Sequence, residues 1–267
     1  MPRACWVWSD AVDFGGRHAL VTGGSTGIGL AAAQLLAARG ARVSIIARNP
    51  DRLEVARALI ADDGGTVCAV AADVADAAAQ DHAIDRAESA FGPVELVFAN
   101  AGTGGAFGPL TAYADAMFEQ VMVTNLTSVF RLLRRLLPGM LERGCGSVVV
   151  TGSLASVRGM PMNPAYVASK HGVMGLAMAA AAEGAPAGVR VNCVLPGFID
   201  TPMLHQLGDD PAALRARLGA NVPQGRVGSA REAAELVAFL LSDAASHITA
   251  QTIAVDGGIL GTLMPRL

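Results

Sequence analysis

Tyr166 and Lys170 stand four residues apart in Tyr166-Val167-Ala168-Ser169-Lys170, a spacing that sets a phenol and an ammonium on one face of a helix. A free tyrosine, with a pKa of about 10, is a poor base at neutral pH, and a nearby cation lowers that value by favouring the phenolate. The chemistry expected of the pair is proton exchange with a substrate oxygen, with Lys170 tuning Tyr166. Ser153 follows the apolar run from Ser147 to Thr151, at the strand end where open α/β sheets place their ligand crevice, so its hydroxyl can hydrogen-bond the same oxygen. Taken singly, Ser153 is a loop or cap residue, Tyr166 a helix-start aromatic and Lys170 a surface charge. Their combination carries the functional reading.

A second constellation lies upstream. Thr22-Gly23-Gly24-Ser25-Thr26-Gly27-Ile28-Gly29 follows the first apolar strand and opens an Ala-rich helix. Gly23, Gly27 and Gly29 permit a tight turn and close backbone approach, while free amides and the positive helix end attract a pyrophosphate. The spacing departs from G-x-G-x-x-G, and a glycine turn without a ligand is the alternative. About twenty residues on, where an acidic side chain would read an NAD ribose, the next strand ends in Ala47-Arg48-Asn49. An Arg there suits a 2′-phosphate, so NADP is expected and NAD is less favoured. The alternative leaves Arg48 a solvated residue at a strand end.

These residues need a scaffold. Short β-branched or apolar runs recur at Ala19 to Thr22, Val43 to Ala47, Thr66 to Ala71, Val94 to Ala99, Ser147 to Thr151, Val189 to Leu195 and Thr252 to Val255, and read as fully buried strands. Between them, Ile28 to Arg39, Arg52 to Ala61 and Ala77 to Phe91 carry helical spacing. The alternation predicts a doubly wound, mostly parallel Rossmann-like sheet with helices on both faces, as a single domain over residues 14–267 after a loose extension over 1–13. Phe198 to Arg226 is the least regular stretch and a candidate lid.

Composition narrows the partners. At 267 residues, 52% hydrophobic, 16% charged and with a formal net charge of -3, the chain has ample core and no basic field to recruit nucleic acid or an anionic membrane. No apolar stretch reaches the length of a membrane span, and the first residues carry no secretory h-region. Cys5, Cys68, Cys145 and Cys193 are scattered without a C-x-x-C pair and read as buried free thiols in a reducing compartment, the cytoplasm. The equally dispersed histidines read as structural or surface residues, and no metal site is expected.

At this point the sequence resembles the short-chain dehydrogenase/reductase family in its single-domain form. The resemblance covers nearly the whole chain: the Thr22 to Gly29 loop, Asp73-Val74, Asn100-Ala101-Gly102, Asn125, Ser153, Tyr166 to Lys170, Pro196-Gly197, Thr201 and Val255-Asp256-Gly257-Gly258. It implies that Asp73 and Val74 border an adenine, that Asn100, Ala101 and Gly102 support the fourth strand and a cofactor ribose, and that Pro196 to Thr201, Ile199 included, face the nicotinamide. It further implies that Lys170 holds ribose hydroxyls and that Asn125 fixes a water beside Lys170 in a proton relay. The implied reaction is hydride transfer between nicotinamide and a carbonyl carbon, with Tyr166 exchanging the proton on oxygen and Ser153 steadying it. Phe98-Ala99 and Ala250 depart from the commonest pattern of the family.

A substrate wall of Leu154, Val157, Met160, Met162, Phe198, Met203 and Leu204 favours a small hydrophobic ketone or alcohol, ordinary core packing being the alternative for each residue. Arg158 is open between meeting an acidic group and plain exposure. Reduction of 3-oxoacyl thioesters on a carrier protein remains an alternative, which Ala182-Glu183 weakens because carrier-linked relatives often have Arg before that Glu. A non-catalytic NADP sensor is a further alternative. Epimerases or dehydratases of related fold usually add a C-terminal domain after this point. The helix around His171 to Ala182, small or apolar on every face, needs cover from the sheet and, as in the family, from a neighbouring subunit, so a homotetramer is expected.

Overall fold

The computed structural model describes residues 12–262. Strand and helix alternate through β1 (His18–Thr22), α1 (Gly27–Ala38), β2 (Arg42–Ala47), α2 (Pro50–Asp62), β3 (Thr66–Ala71), α3 (Ala77–Phe91) and β4 (Leu96–Ala99). Next come α4 (Asp115–Met122), α5 (Ser128–Arg143), β5 (Gly146–Thr151), α6 (Pro164–Gly184) and β6 (Val189–Pro196). The chain closes with β7 (Ile199–Asp200), α7 (Pro202–His205), α8 (Pro211–Gly219), β8 (Gly228–Ser229), α9 (Ala230–Leu241) and β9 (Thr252–Val255). Seven strands form one parallel sheet in the order β3-β2-β1-β4-β5-β6-β9.

Strand order reverses between β1 and β4, so consecutive crossovers leave the sheet on opposite sides and a crevice opens at the carboxyl ends of those strands. One face is packed by α1, α2 and α9 through residues such as Leu36, Ile60 and Val237. The other is packed by α3, α5 and α6 through Ile84, Leu132 and Val173. Burial of each large side chain of this kind contributes about 2 kcal/mol, which fixes the sheet and with it the strand ends that carry the site.

The expected strands are present with ends shifted by no more than two residues, but two of them are not fully buried. β3 and β9 are the sheet edges, and their residues are intermediate or exposed because each has a strand on one side only. The stretch 198–226 is also more regular than expected: it holds β7, α7 and α8, and β7 pairs in parallel with β8. Thr201 caps α7 and Asp210 caps α8, each followed by a proline at the first helical position.

Of the cysteines, Cys193 is buried, Cys68 is partly exposed and Cys145 is exposed, so the expectation of buried thiols holds for Cys193 alone; Cys5 and most of the 1–13 extension lie outside the described residues. His18 is fully buried at the opposite end of β1 from the crevice, where its ring bonds the Gly92 carbonyl and the Ser44 hydroxyl, a structural role. Ala250, noted as a departure, has φ 58°, the left-handed conformation that favours glycine. Among the described residues no helix is long and apolar enough to cross a membrane, and no group of three His, Cys, Asp or Glu side chains could hold a metal ion.

Candidate active site

One cavity of about 750 Å³ runs along the carboxyl ends of the central strands. It is lined at one end by Gly23, Ser25, Thr26, Gly27, Ile28, Arg48, Asn49, Asp73 and Val74, and at the other by Ser153, Leu154, Met160, Tyr166, Phe198 and Met203. Asn100, Ala101, Gly102, Lys170, Pro196, Gly197, Ile199 and Thr201 lie between. The topology thus brings together residues spread over most of the sequence.

The glycine end is built for close approach. A Cβ on Gly29 would collide with the Gly23 carbonyl oxygen and stand 2.6 Å from Asn100 Nδ2, so only glycine lets α1 begin this near to β1. Thr26, the N-cap of α1, makes no side-chain cap, and the first turn holds no acidic residue. The helix therefore presents amide donors and its positive end to the cavity, the arrangement that binds a phosphate. A dinucleotide phosphate fits this donor set. The segment after β6 reaches over the same loop, since a Cβ on Gly27 would stand 3.2 Å from Thr201 Cγ2.

Asn100 staples the strand ends. Its Nδ2 donates to the Thr22 carbonyl at 3.2 Å, its backbone amide donates to Thr22 Oγ1 at 3.0 Å, and its Oδ1 accepts from Thr151 Oγ1 at 3.3 Å. On the far side of β1, just past the end of β2, Arg48 Nη1 lies 3.8 Å from Asp73 Oδ2. Asn49 spends its side chain on capping α2, accepting from the Arg52 amide at 2.8 Å. Both Arg48 and Arg52 line the cavity.

At the other end the Ser153 hydroxyl stands beside that of Tyr166, near enough to favour its ionised form. Ser153 caps a short 3₁₀ turn, Leu154–Ser156, and α6 begins after the Asn163 cap with Pro164 at its first position. Lys170, one turn beyond Tyr166, is buried; its Nζ donates to the Thr151 carbonyl at 2.7 Å and lies 5.7 Å from the Tyr166 ring centroid. The expectation that Lys170 brings the phenol down is corrected here. Burial pushes the Tyr166 phenol above its ordinary value, against the opposing effect of the Ser153 hydroxyl, and burial likewise pushes Lys170 down to about 8. The cause is shared desolvation: an ammonium turned toward a backbone carbonyl in the same low-dielectric wall does not offset the loss of water around the phenol.

Asn125 sits in a π-turn, Val123–Thr127, between α4 and α5. Its Oδ1 accepts from the Thr103 amide at 2.8 Å, and its Nδ2 donates to the Thr103 carbonyl at 3.0 Å and to Ser169 Oγ at 3.1 Å. It therefore braces the loop after β4 against the helix that carries Tyr166. Gly102 fits between the two, with its Cβ position 3.2 Å from Asn125 Oδ1 and 3.8 Å from Lys170 Nζ.

Val157 and Met162, expected in the substrate wall, are exposed and do not line the cavity; the chain turns outward at Val157, and Met162 sits in a left-handed turn with φ 64°. Residues that sequence reasoning missed include the Gly104–Phe107 loop, Gln206 and above all Asn163. Asn163 is 1% exposed, accepts from the Tyr166 amide at 3.3 Å and donates from Nδ2 to the Gly104 carbonyl at 2.6 Å. Asn before Pro at a helix start was a legible cap signal.

Comparison with known proteins agrees with this geometry. Residues 23–260 match a family model described as enoyl-(acyl carrier protein) reductase. The chain is 38% identical to a 2,5-dichloro-2,5-cyclohexadiene-1,4-diol dehydrogenase of Sphingobium indicum, over 92% of this chain and 98% of that protein. It is 38% identical to the 3-oxoacyl-(acyl-carrier-protein) reductase of Salmonella typhimurium, over 93% and 99% of the two chains. The crystal structure of levodione reductase superposes with a TM-score of 0.88 at 37% identity, covering 92% of this chain and 98% of that one. With a glycine-rich first turn, a Ser, Tyr and Lys at one end of the crevice, and relatives matched over nearly their full lengths, the chain belongs to the short-chain dehydrogenase/reductase family.

Proposed function

We propose that the protein, an oxidoreductase acting between a nicotinamide cofactor and a carbonyl or alcohol group, is an NADPH-dependent reductase of a small, hydrophobic ring ketone. The observation that carries this reading is the single cavity that joins Arg48 at the end of β2 to the Ser153 and Tyr166 hydroxyls. At the cofactor end, Arg48 and Arg52 face a position where Ala47 replaces an acidic residue, and the one carboxylate there, Asp73, lies against Arg48. At the substrate end, Leu154, Met160, Phe198 and Met203 form an apolar, adaptable wall, and a relative named for a cyclohexadienediol supports a ring.

In this reading the α1 amides hold the pyrophosphate, and Lys170 and the Asn100 to Gly102 turn hold the nicotinamide ribose. The bound nicotinamide supplies the hydride. Ser153 fixes the carbonyl oxygen, and Tyr166 delivers a proton to it as negative charge develops there. Lys170, poised near neutrality in its own titration, passes the replacing proton inward, and Asn125 holds the Thr103 turn beside it. The segment 198–226 acts as the lid, with α7 supplying Met203 and Leu204. Residues 14–267 act as one domain. A homotetramer in the cytoplasm completes the proposal, the exposed His171, Gly175 and Met178 stripe of α6 offering a face for a second subunit.

The test is an NADPH-consumption screen over ring ketones, sugars and 3-oxoacyl thioesters, repeated with NADH and with Arg48→Ala. Ring ketones should turn over best, and Arg48→Ala should cut the NADPH preference by about tenfold, the loss of one charge-assisted contact. Turnover of thioesters alone would instead support the carrier-protein reading, and tighter binding of NADH than NADPH would reject the cofactor assignment.

A further inference from the structure

Apart from Lys170, which is buried at the floor, the substrate end of the cavity has a single cationic side chain among its described lining residues, and that is Arg158. Leu154, Met160, Phe198, Met203 and Leu207 make the rest of this wall, and no carboxylate stands among them. At the cofactor end the comparable residue, Arg48, lies 3.8 Å from Asp73. Arg158 has no such partner: among the described residues no Asp or Glu oxygen lies within 4.0 Å of its guanidinium.

Its backbone is nonetheless fixed. The Arg158 amide donates to the Leu154 carbonyl at 3.0 Å, closing one helical turn onto the residue that follows Ser153. The arginine is thus anchored with its Cβ about 6 Å from that of Leu154, the neighbour of the group that holds the reacting oxygen. Arg158 is itself exposed, so its side chain stands at the open mouth of the cavity. Gln206, which follows α7, adds a polar side chain to the cavity lining.

A lone cation on an apolar rim, five donors and no acceptor, is complementary to a carboxylate or phosphate, and it discriminates against neutral ketones without touching the reacting centre. We propose that the physiological substrate carries an anionic oxygen group, and that Arg158 binds it and so determines specificity. The inference rests on the ketone-reductase reading for its chemistry, though the binding it asserts does not require turnover. The short separation from Ser153 favours a compact molecule with the anion on the ring or on a short arm.

Two measurements test it. The first compares kcat/KM for 4-oxocyclohexanecarboxylate and its neutral carboxamide in the wild type and in Arg158→Met, which keeps an apolar stem without charge; acetoacetyl-coenzyme A serves as the phosphate-bearing probe. The ratio of acid to amide should fall at least tenfold in the variant, through KM rather than kcat. A fall confined to acetoacetyl-coenzyme A assigns the anion to a phosphate. The second measures binding of cyclohexanecarboxylate, which has no carbonyl to reduce, to the NADP-loaded protein by calorimetry. Binding weakened at least tenfold by Arg158→Met supports the inference even where no ketone is consumed. An unchanged ratio for every anionic probe, together with acid binding indifferent to the substitution, overturns it while leaving any observed reduction of neutral ketones intact.

Discussion

The Lys170 ammonium donates to the Thr151 carbonyl oxygen at 2.7 Å, from α6 to the end of β5, and the lysine that makes this bond is 5% exposed. One carbonyl replaces much of its hydration, which is why its pKa falls to about 8. The group is held where it is by the packing of α6 on the sheet, and the fold gives up stability to keep it there.

That cost has a definite pH dependence. The unfolded lysine titrates near its ordinary value of 10.5 and the folded one near 8, so between these values the unfolded chain binds more protons and stability rises with pH. The penalty is fully present below about pH 8, and the difference corresponds to about 3 kcal/mol at most. In cofactor-free protein, Lys170→Met should therefore be more stable than the wild type at pH 7 by about 1–2 kcal/mol, after allowing about 1 kcal/mol for the lost Thr151 hydrogen bond. Urea unfolding at several pH values should show the gap closing towards pH 10. A gap independent of pH would contradict a buried, depressed lysine.

Tyr166→Phe removes one hydroxyl and keeps the ring that packs in the cavity wall. With Ser153 left to hold a carbonyl oxygen alone, no group remains to exchange its proton, and turnover should fall by about 10²–10⁴-fold. The cofactor end is untouched, so NADPH affinity measured by fluorescence titration should stay within a few-fold. Retained turnover would remove Tyr166 from the mechanism.

Asn163 ties the helix carrying Tyr166 to the loop after β4. Asn163→Ala loses the α6 cap and strands the Gly104 carbonyl, and should destabilise the protein by about 2 kcal/mol. Because the Gly104–Phe107 loop lines the cavity, KM for the ketone should rise as well. Asn163→Ser can still accept from the Tyr166 amide as an N-cap but is too short to donate to Gly104, so it should recover much of the stability and little of the KM. Equal recovery of both would mean that Asn163 acts only as a cap.

What the sequence makes legible is local. The Thr22 to Gly29 turn shows itself because glycine there answers a steric demand, and Tyr166 with Lys170 because helical spacing alone puts them together. Prolines 202 and 211, each behind a capping Thr201 or Asp210, are start signals for α7 and α8 that the irregular composition of 198–226 obscured. Other features are not local. The direction of the Tyr166 shift depends on how deeply phenol and ammonium are both buried, and the second bond of Asn163 reaches a carbonyl 59 residues away, for which no spacing rule exists.

Ala250, with φ 58°, gives a last prediction that bears on stability alone. Its amide donates to the Val191 carbonyl at 2.8 Å, which holds the left-handed turn in place just ahead of β9. The Cβ of a non-glycine residue in this conformation costs about 1–2 kcal/mol. Glycine would relieve that strain, while the greater freedom of the unfolded chain would take back about 0.4–1 kcal/mol. Ala250→Gly should thus stabilise the protein by about 0.5–1 kcal/mol, read as a higher urea midpoint at unchanged slope, with kcat and KM as in the wild type because the residue lines no part of the cavity. A lower midpoint would show that the turn is not strained.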